Sequence, residues 1–190
     1  MSSNLYIITA PSGAGKTTLI KRVLEYAQEY SKKVSLSISH TTRAPRDGEQ
    51  HGIDYLFVSE KEFKENIEKQ EYIEYATVHG NYYGTPKSQI DTDLDKDLKI
   101  LLEIDWQGAL QIMDHYPEAE SIFISPPSVD ELRKRLMERG LDSEEVINRR
   151  IAGAQMEMDK ASYFKHQITN ISLDIATKNL LNIMFRENHG

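Results

Sequence analysis

The sequence predicts an α/β fold: a parallel sheet flanked by helices and interrupted by two insertions. Three observations predict it. The apolar run Leu5-Tyr6-Ile7-Ile8 leads into a glycine-rich loop and then into a segment of helical periodicity. Strand and helix patterns alternate again toward the C-terminal end, as in parallel strands joined by right-handed crossovers. Between these parts lie a β-rich stretch, about 37–90, and an arginine-rich helical pair, about 128–166. The expected division is therefore a core of 1–36, 91–127 and 167–190 carrying two inserted regions.

In order, Leu5 to Thr9 reads as a buried strand with little alternation. The helix after the loop carries the stripe Leu19, Ile20, Val23, Leu24 and Ala27 and should end near Tyr30. Val34 to Ser39 alternates apolar and small polar residues, which fits a strand covered on one face. His40 to Glu49, with Pro, Gly and charges, reads as a loop, and Asp54 to Val58 as a strand. Ser59 with Glu62, Ser128 with Glu131 and Asp142 with Glu145 have the spacing of capping boxes and open three helices. Tyr72 to His79 is strand-like, and Lys87 to Asp97 a short polar helix. Lys99 to Asp105 is a buried strand ending in acids, followed by a helix from Gly108 to His115. Ser121 to Ile124 is a strand stopped by Pro126-Pro127, Ile168 to Asn170 a short strand, and Ala176, Leu180, Ile183 and Met184 mark a last helix.

Composition narrows the function classes. At 190 residues the chain can bury one compact core. Apolar runs of four residues or fewer cannot span a membrane, and the first residues have no signal-peptide pattern, so a cytoplasmic protein is expected. The absence of cysteine excludes disulfides and thiol catalysis, and the six scattered histidines show no zinc-ligand spacing. A formal charge of −7 argues against nucleic acid or anionic lipid as partner. Any bound polyanion must be held by locally concentrated cations. Five of the nine arginines lie between Arg133 and Arg150, and two more are Arg43 and Arg46.

The loop Ala10-Pro11-Ser12-Gly13-Ala14-Gly15-Lys16-Thr17-Thr18 matches G-x-x-x-x-G-K-[ST] except for Ala10 in the first glycine position. Its setting, strand before and helix after, is what a phosphate-binding loop needs. Backbone N–H groups from Gly13 to Thr17 would surround a phosphate at the positive end of the helix dipole. Glycine is required because the loop visits positive φ and a side chain would block the phosphate. Ser12, Gly13, Ala14, Gly15, Lys16, Thr17 and Thr18 are thus the expected nucleotide-phosphate-binding residues. Lys16 would reach the β/γ-phosphates and the Thr17 hydroxyl would help hold Mg²⁺. The core is accordingly expected to be a P-loop NTPase-type sheet.

A second constellation is Ser39-x-Thr41-Thr42-Arg43-x-Pro45-Arg46-x-Gly48-Glu49-x-x-Gly52-x-Asp54-Tyr55. Arg43 and Arg46 are close enough to converge on one phosphate, and Tyr55 and Tyr83 could each add a hydroxyl. Charge alone favours a solvated loop in which the arginines pair with Asp47 and Glu49, since exposed pairs are common. The upstream phosphate loop favours the anion site.

These stretches, with Ile73-Glu74-Tyr75, Gly80-Asn81-Tyr82-Tyr83-Gly84-Thr85, Glu103-Ile104-Asp105-Trp106-Gln107-Gly108, Pro126-Pro127-Ser128 and Asn148-Arg149-Arg150, resemble a guanylate kinase in family order over nearly the whole chain. The resemblance implies ATP-dependent phosphorylation of GMP, and of dGMP, with Mg²⁺ as cofactor and small nucleotides as partners. It implies that 37–90 is the GMP-binding region and 128–166 a helical lid. Glu74 matches the residue that binds guanine, and Ser39 and Thr85 match hydroxyls on the base. Arg43, Arg46, Tyr55 and Tyr83 match the residues on the GMP phosphate, and Glu103, with Asp105 two residues on, lies near the ribose. Arg135, Arg139 and Arg150 match lid arginines and, with Lys16 and Arg46, form the expected catalytic set. Arg133 and Arg149 fit a solvated helix face equally well. Asn170 matches a residue that contacts adenine, although Ile171-Ser172 departs from the usual following Asp.

A carboxylate at Glu74 suits guanine, which offers N1–H and a 2-amino group side by side, where adenine presents an acceptor. Two other readings compete: a kinase for a different nucleoside monophosphate, and a non-catalytic, peptide-binding relative. The intact Lys16, Thr17 and lid arginines oppose the latter.

Overall fold

The structure, a computed structural model, describes residues 4–78, 80–138, 140 and 143–186. The chain forms two compact units, Met1–Leu5 with Lys33–Ala119, and Tyr6–Lys32 with Glu120–Gly190. Both are built of strands flanked by helices, the α/β architecture expected.

The second unit begins with β1 (Leu5–Thr9), the phosphate-loop sequence and α1 (Lys16–Glu29). It continues after residue 119 with β8 (Glu120–Ser125), α5 (Val129–Glu138), α6 (Glu144–Met158), β9 (His166–Thr169) and α7 (Leu173–Phe185). β8 pairs in parallel with β1 on one side and β9 on the other, with Ile8 opposite Ile122 and Ile124 opposite Ile168. The uninterrupted apolar reading of these strands follows from burial on both faces. Ile7, Ile8, Ile122, Phe123 and Ile124 are fully enclosed, as are Leu19, Ile20 and Val23 of α1 and Leu180 of α7. α5 and α6 form a smaller cluster of Leu132, Leu136, Ile147 and Ala154, with Ile151 packed against it.

The first unit carries β2 (Val34–Leu36) and β7 (Lys99–Glu103), a parallel pair with Ser35 opposite Ile100. It also holds a second sheet of β3 (His40–Thr41), β4 (Leu56–Phe57), β5 (Tyr72–Val78) and β6 (Asn81–Pro86), in the order β4-β3-β6-β5. Its helices are α2 (Glu60–Glu68), α3 (Lys87–Asp95) and α4 (Trp106–His115). The second sheet is antiparallel except for the β3–β4 pair. Phe63 of α2 stacks on Tyr72 and Tyr82, with ring centroids at 4.5 and 5.3 Å. Gly84 lies under that stack, where a Cβ would come within 2.9 Å of Phe63 and 3.1 Å of Tyr72.

Caps explain where most helices begin. Ser59 accepts from the Glu62 amide at 3.1 Å and Ser128 from the Glu131 amide at 3.1 Å, as the spacing predicts. Asp142 lies outside the described residues, and α6 is capped by Ser143, which accepts from Val146. α4 starts two residues earlier than its apolar pattern predicts, because Asp105 is its N-cap. The strand read over Val34 to Ser39 stops at Leu36, and a two-residue strand follows at His40–Thr41. His79, at the end of the predicted strand, also lies outside the described residues.

Candidate functional site

In the second unit the loop between β1 and α1 has the conformation that its glycines predict. Gly13 and Gly15 have φ of 93° and 95°, in the left-handed region. Gly15 is the N-cap of α1 and offers no side chain to cap the helix, so Lys16 and Thr17 open the first turn. Ser12, Thr17 and Thr18 are exposed and Ala14 is buried. Close packing imposes glycine a second time. A Cβ at Gly13 would lie 2.9 Å from Leu132 and 3.0 Å from Leu136 of α5, and one at Gly15 2.5 Å from the Asn170 amide nitrogen. Ala10, the departure from the motif, is buried.

Asn170 is the brace of this loop. Its side chain, 2 % exposed, donates from Nδ2 to the Ala14 carbonyl at 2.8 Å. Its own carbonyl accepts from Arg135 Nη2 at 3.1 Å, and Arg135 Nε donates to Glu131 at 3.1 Å. The arginine-rich pair therefore has divided duties. Arg135 reaches back to the strand that ends beside the loop. Arg133 donates to Asn148 at 2.7 Å and ties α5 to α6. Arg150 is half-buried on α6 and Arg149 exposed. Arg139 lies outside the described residues.

The first unit assembles a separate cluster. Glu74 on β5 faces Thr85 on β6 in the antiparallel register, and Thr85 donates to Glu74 Oε1 at 2.6 Å. Ser39 stands 3.4 Å from the Thr85 hydroxyl. Ser39, Thr85 and Glu74 are all buried, so three residues far apart in sequence form one polar chain inside the unit. Burial pushes the Glu74 carboxyl up to about 7; the Thr85 hydrogen bonds oppose the shift, and the charge of Asp105 adds to it. Thr85 gives this carboxyl a partner at Oε1, and a ligand with two adjacent N–H donors would add further partners for its ionised form.

Arg43 lies at the other end of β3. Its Nε donates to the Tyr83 hydroxyl at 3.1 Å, and its guanidinium stands 5.5 Å over the Tyr55 ring. Tyr55 and Tyr83 meet edge to face with centroids 5.9 Å apart. Arg43 Nη2 contacts both oxygens of Glu49 at 2.9 Å, and Glu49 also accepts from the Arg46 backbone amide at 2.8 Å. Burial works against the Arg43 charge, but the bonds to Glu49 and Tyr83 hold its pKa above the usual value. The Tyr55 hydroxyl is raised to about 12, by burial first and then by the negative charge of Glu103. The arginine–glutamate pair of the loop is thus present, but it is mostly buried and aligned with two tyrosines. Arg46 projects from an exposed stretch.

Asp105 is engaged locally. Its Oδ1 accepts from Gly108 N at 2.9 Å and its Oδ2 from Gln107 at 3.0 Å, which makes it the cap of α4 as well as a neighbour of Glu74. Glu49, which the sequence offered only as a partner of the arginines in a solvated loop, aligns Arg43. Two contributors were not visible in the sequence. Gln89 accepts from Ile38 N at 3.0 Å and donates to the Leu36 carbonyl at 3.2 Å, which fixes the chain entering Ser39. Gln111 on α4 accepts from Tyr75 N at 3.2 Å and donates to Tyr75 O at 2.8 Å, which clamps α4 to β5 beside Glu74. Amides that bond backbone on a distant strand leave no local pattern.

Comparison with known proteins agrees with this geometry. Residues 2–187 match the family described as guanylate kinase. A guanylate kinase of Dechloromonas aromatica is 51 % identical over 180 residues, spanning 95 % of this chain and 87 % of that protein. One of Vibrio vulnificus is 50 % identical over 172 residues, spanning 90 % and 82 %. The crystal structure of guanylate kinase from Anaplasma phagocytophilum superposes with a TM-score of 0.79 at 34 % identity, covering 98 % of this chain and 86 % of that one. With the family matched across nearly its whole length, its sequence half identical to curated members and its fold shared with a solved one, this chain belongs to the guanylate kinase family.

Proposed function

We propose that this chain is a nucleoside monophosphate kinase that converts GMP, and dGMP, to GDP with ATP by direct in-line transfer. The observation that carries the specificity is the buried Ser39–Thr85–Glu74 chain. Guanine presents N1–H and a 2-amino group to such a carboxylate, and hydroxyls can meet its O6. Adenine would leave the buried carboxylate facing an acceptor, at a cost of about 1–3 kcal/mol for each unmet partner.

Each half has a part in the reaction. Residues 37–90 form the GMP-binding region, with Arg43, Arg46, Tyr55 and Tyr83 on the phosphate and Glu103 and Asp105 toward the ribose. The Gly13–Thr18 loop holds the ATP phosphates by backbone N–H groups and the α1 dipole. Lys16 neutralises charge at the β/γ-phosphates, and Asn170 serves the donor site through the loop that it braces. Residues 128–166 form a lid whose Arg135, Arg139 and Arg150 bring further positive charge to the transferring group and exclude water. The remaining segments, 1–36, 91–127 and 167–190, form the core.

Chemically, a phosphate oxygen of GMP attacks the γ-phosphorus of ATP. A new P–O bond forms, the bond to the β,γ-bridging oxygen breaks, and ADP leaves. No side-chain nucleophile is needed, so catalysis rests on positioning and charge neutralisation. The Thr17 hydroxyl, in the first turn of α1 beside Lys16, fits a Mg²⁺ site completed by phosphate oxygens and water. Mg²⁺ would supply charge neutralisation on the ATP phosphates. No described helix is long and apolar enough to cross a membrane. A cytoplasmic place in purine nucleotide metabolism follows from the substrates.

A coupled assay for ADP formation tests the reading, with Mg-ATP as donor and GMP, dGMP, AMP and UMP in turn. Turnover with GMP and dGMP is expected to exceed that with AMP and UMP by at least 10²-fold, on the scale of a buried polar group left without its partner. Equal rates with AMP and GMP would overturn it.

A further inference from the structure

Gly108 occupies the third helical position of α4, after the Asp105 cap. It is not among the glycines with positive φ, so left-handed freedom does not explain it. Inside a helix turn, alanine would be favoured over glycine by roughly 1 kcal/mol. The space explains the choice. A Cβ at this position would overlap Glu74 Oε2 and lie 2.8 Å from Glu74 Cδ.

Both partners are held in place by other bonds. Glu74 is buried and tied through Oε1 to Thr85, whose hydroxyl also neighbours Ser39. α4 is fixed to β5 by the paired Gln111–Tyr75 bonds, one turn beyond Gly108. We infer that Gly108 is a positioning residue for guanine selectivity: its missing side chain is the space in which the Glu74 carboxylate is held in register. The inference rests on the reading of Glu74 as the residue that takes the guanine N–H donors.

A double-mutant cycle tests it, with Gly108→Ala made in the parent and in a Glu74→Asp background, which withdraws the carboxylate by one methylene. In the parent, Gly108→Ala is expected to raise KM for GMP at least tenfold while KM for ATP stays within twofold. In the Glu74→Asp background the same change should alter KM for GMP less than threefold. A tenfold effect in both backgrounds, no effect in the parent, or an equal rise in both KM values would overturn the inference. If Gly108→Ala alone does not fold, a folded double variant with the KM of Glu74→Asp supports it, and a double variant that also fails to fold overturns it. Glu74→Gln, assayed alongside, separates the two readings. Weakened GMP use in Glu74→Gln with an unaffected Gly108→Ala removes only the role of Gly108. Undiminished GMP use in Glu74→Gln removes the reading of Glu74 and this inference with it.

Discussion

On the proposed reading, the loop around Lys16 and the cluster around Glu74 solve the same problem, holding part of a nucleotide, with opposite materials. The first is made of backbone. Two left-handed glycines shape the loop, and the N-terminal end of a helix dipole follows it. The second is made of side chains from separate strands, with a buried carboxyl whose ionisation folding disfavours. A backbone cradle recognises phosphate, which every nucleotide has. A side-chain cluster can recognise what distinguishes one base from another, and its cost is the burial of an ionisable carboxyl.

The largest expected effect breaks the backbone half. Lys16→Ala should lower kcat by about 10²–10³-fold, the scale for loss of one preorganised electrostatic contact in a transition state. KM for ATP should change much less, since the loop's N–H groups remain. Steady-state kinetics at saturating GMP would check this, and undiminished turnover would sink the mechanism.

Next is Glu74→Gln, which should separate activity from stability in the side-chain half. The parent Glu74 carboxyl is raised from 4.5 to about 7 in the folded chain. The folded state therefore binds more protons than the unfolded state between these values, and stability falls as pH rises through that window. Above about pH 7 the whole penalty is present, on the order of 2–4 kcal/mol. Gln carries no such penalty and can still accept from Thr85. Glu74→Gln should thus raise Tm at pH 8 by several degrees and change it little at pH 5, while kcat/KM for GMP drops about tenfold or more. In the parent, guanine donors select the ionised carboxylate, so KM for GMP should climb as pH drops below about 7. A variant less stable than the parent at pH 8 would contradict the burial argument, and a flat KM profile would contradict the base contact.

The same contrast decides what could be read from the sequence. The phosphate loop was legible because its physics is local: Gly13, Gly15 and Lys16 lie within four residues of one another, and the strand and helix around them have clear periodicity. The Ser59 and Ser128 caps were legible for the same reason. Arg43 could be set beside Tyr83 from their phosphate-binding chemistry, but Ser39, Thr85 and Glu74 could be grouped only by family resemblance, because β-sheet register and side-chain bonds bring them together across the chain. Asp105 shows the limit clearly. As the last acid of an apolar run it looked like the end of a strand, yet it caps α4, and the helix begins where the apolar pattern had not yet started. Asn170 was placed near adenine by resemblance, and no sequence pattern showed that its buried bond to Ala14 makes it part of the loop's support. Gln89 and Gln111, which bond backbone on other strands, had no sequence signal at all.

The smallest expected effect sharpens the boundary of the backbone half. Sequence alone left Arg133 divided between a phosphate contact and a helix face. In the structure its guanidinium donates to Asn148, an exposed bond between α5 and α6. Its neighbour Arg135 instead bonds the carbonyl of the residue that braces the phosphate loop. Loss of an exposed hydrogen bond outside the core should cost within about 0.5 kcal/mol. Arg133→Ala should accordingly keep kcat within twofold of the parent and shift Tm by no more than about 2 °C. Arg135→Ala should lower kcat more than Arg133→Ala does, since it removes both a cation and a tie to the loop. A tenfold loss of kcat in Arg133→Ala, with Tm unchanged, would move this arginine from the helix pair to the transferring phosphate.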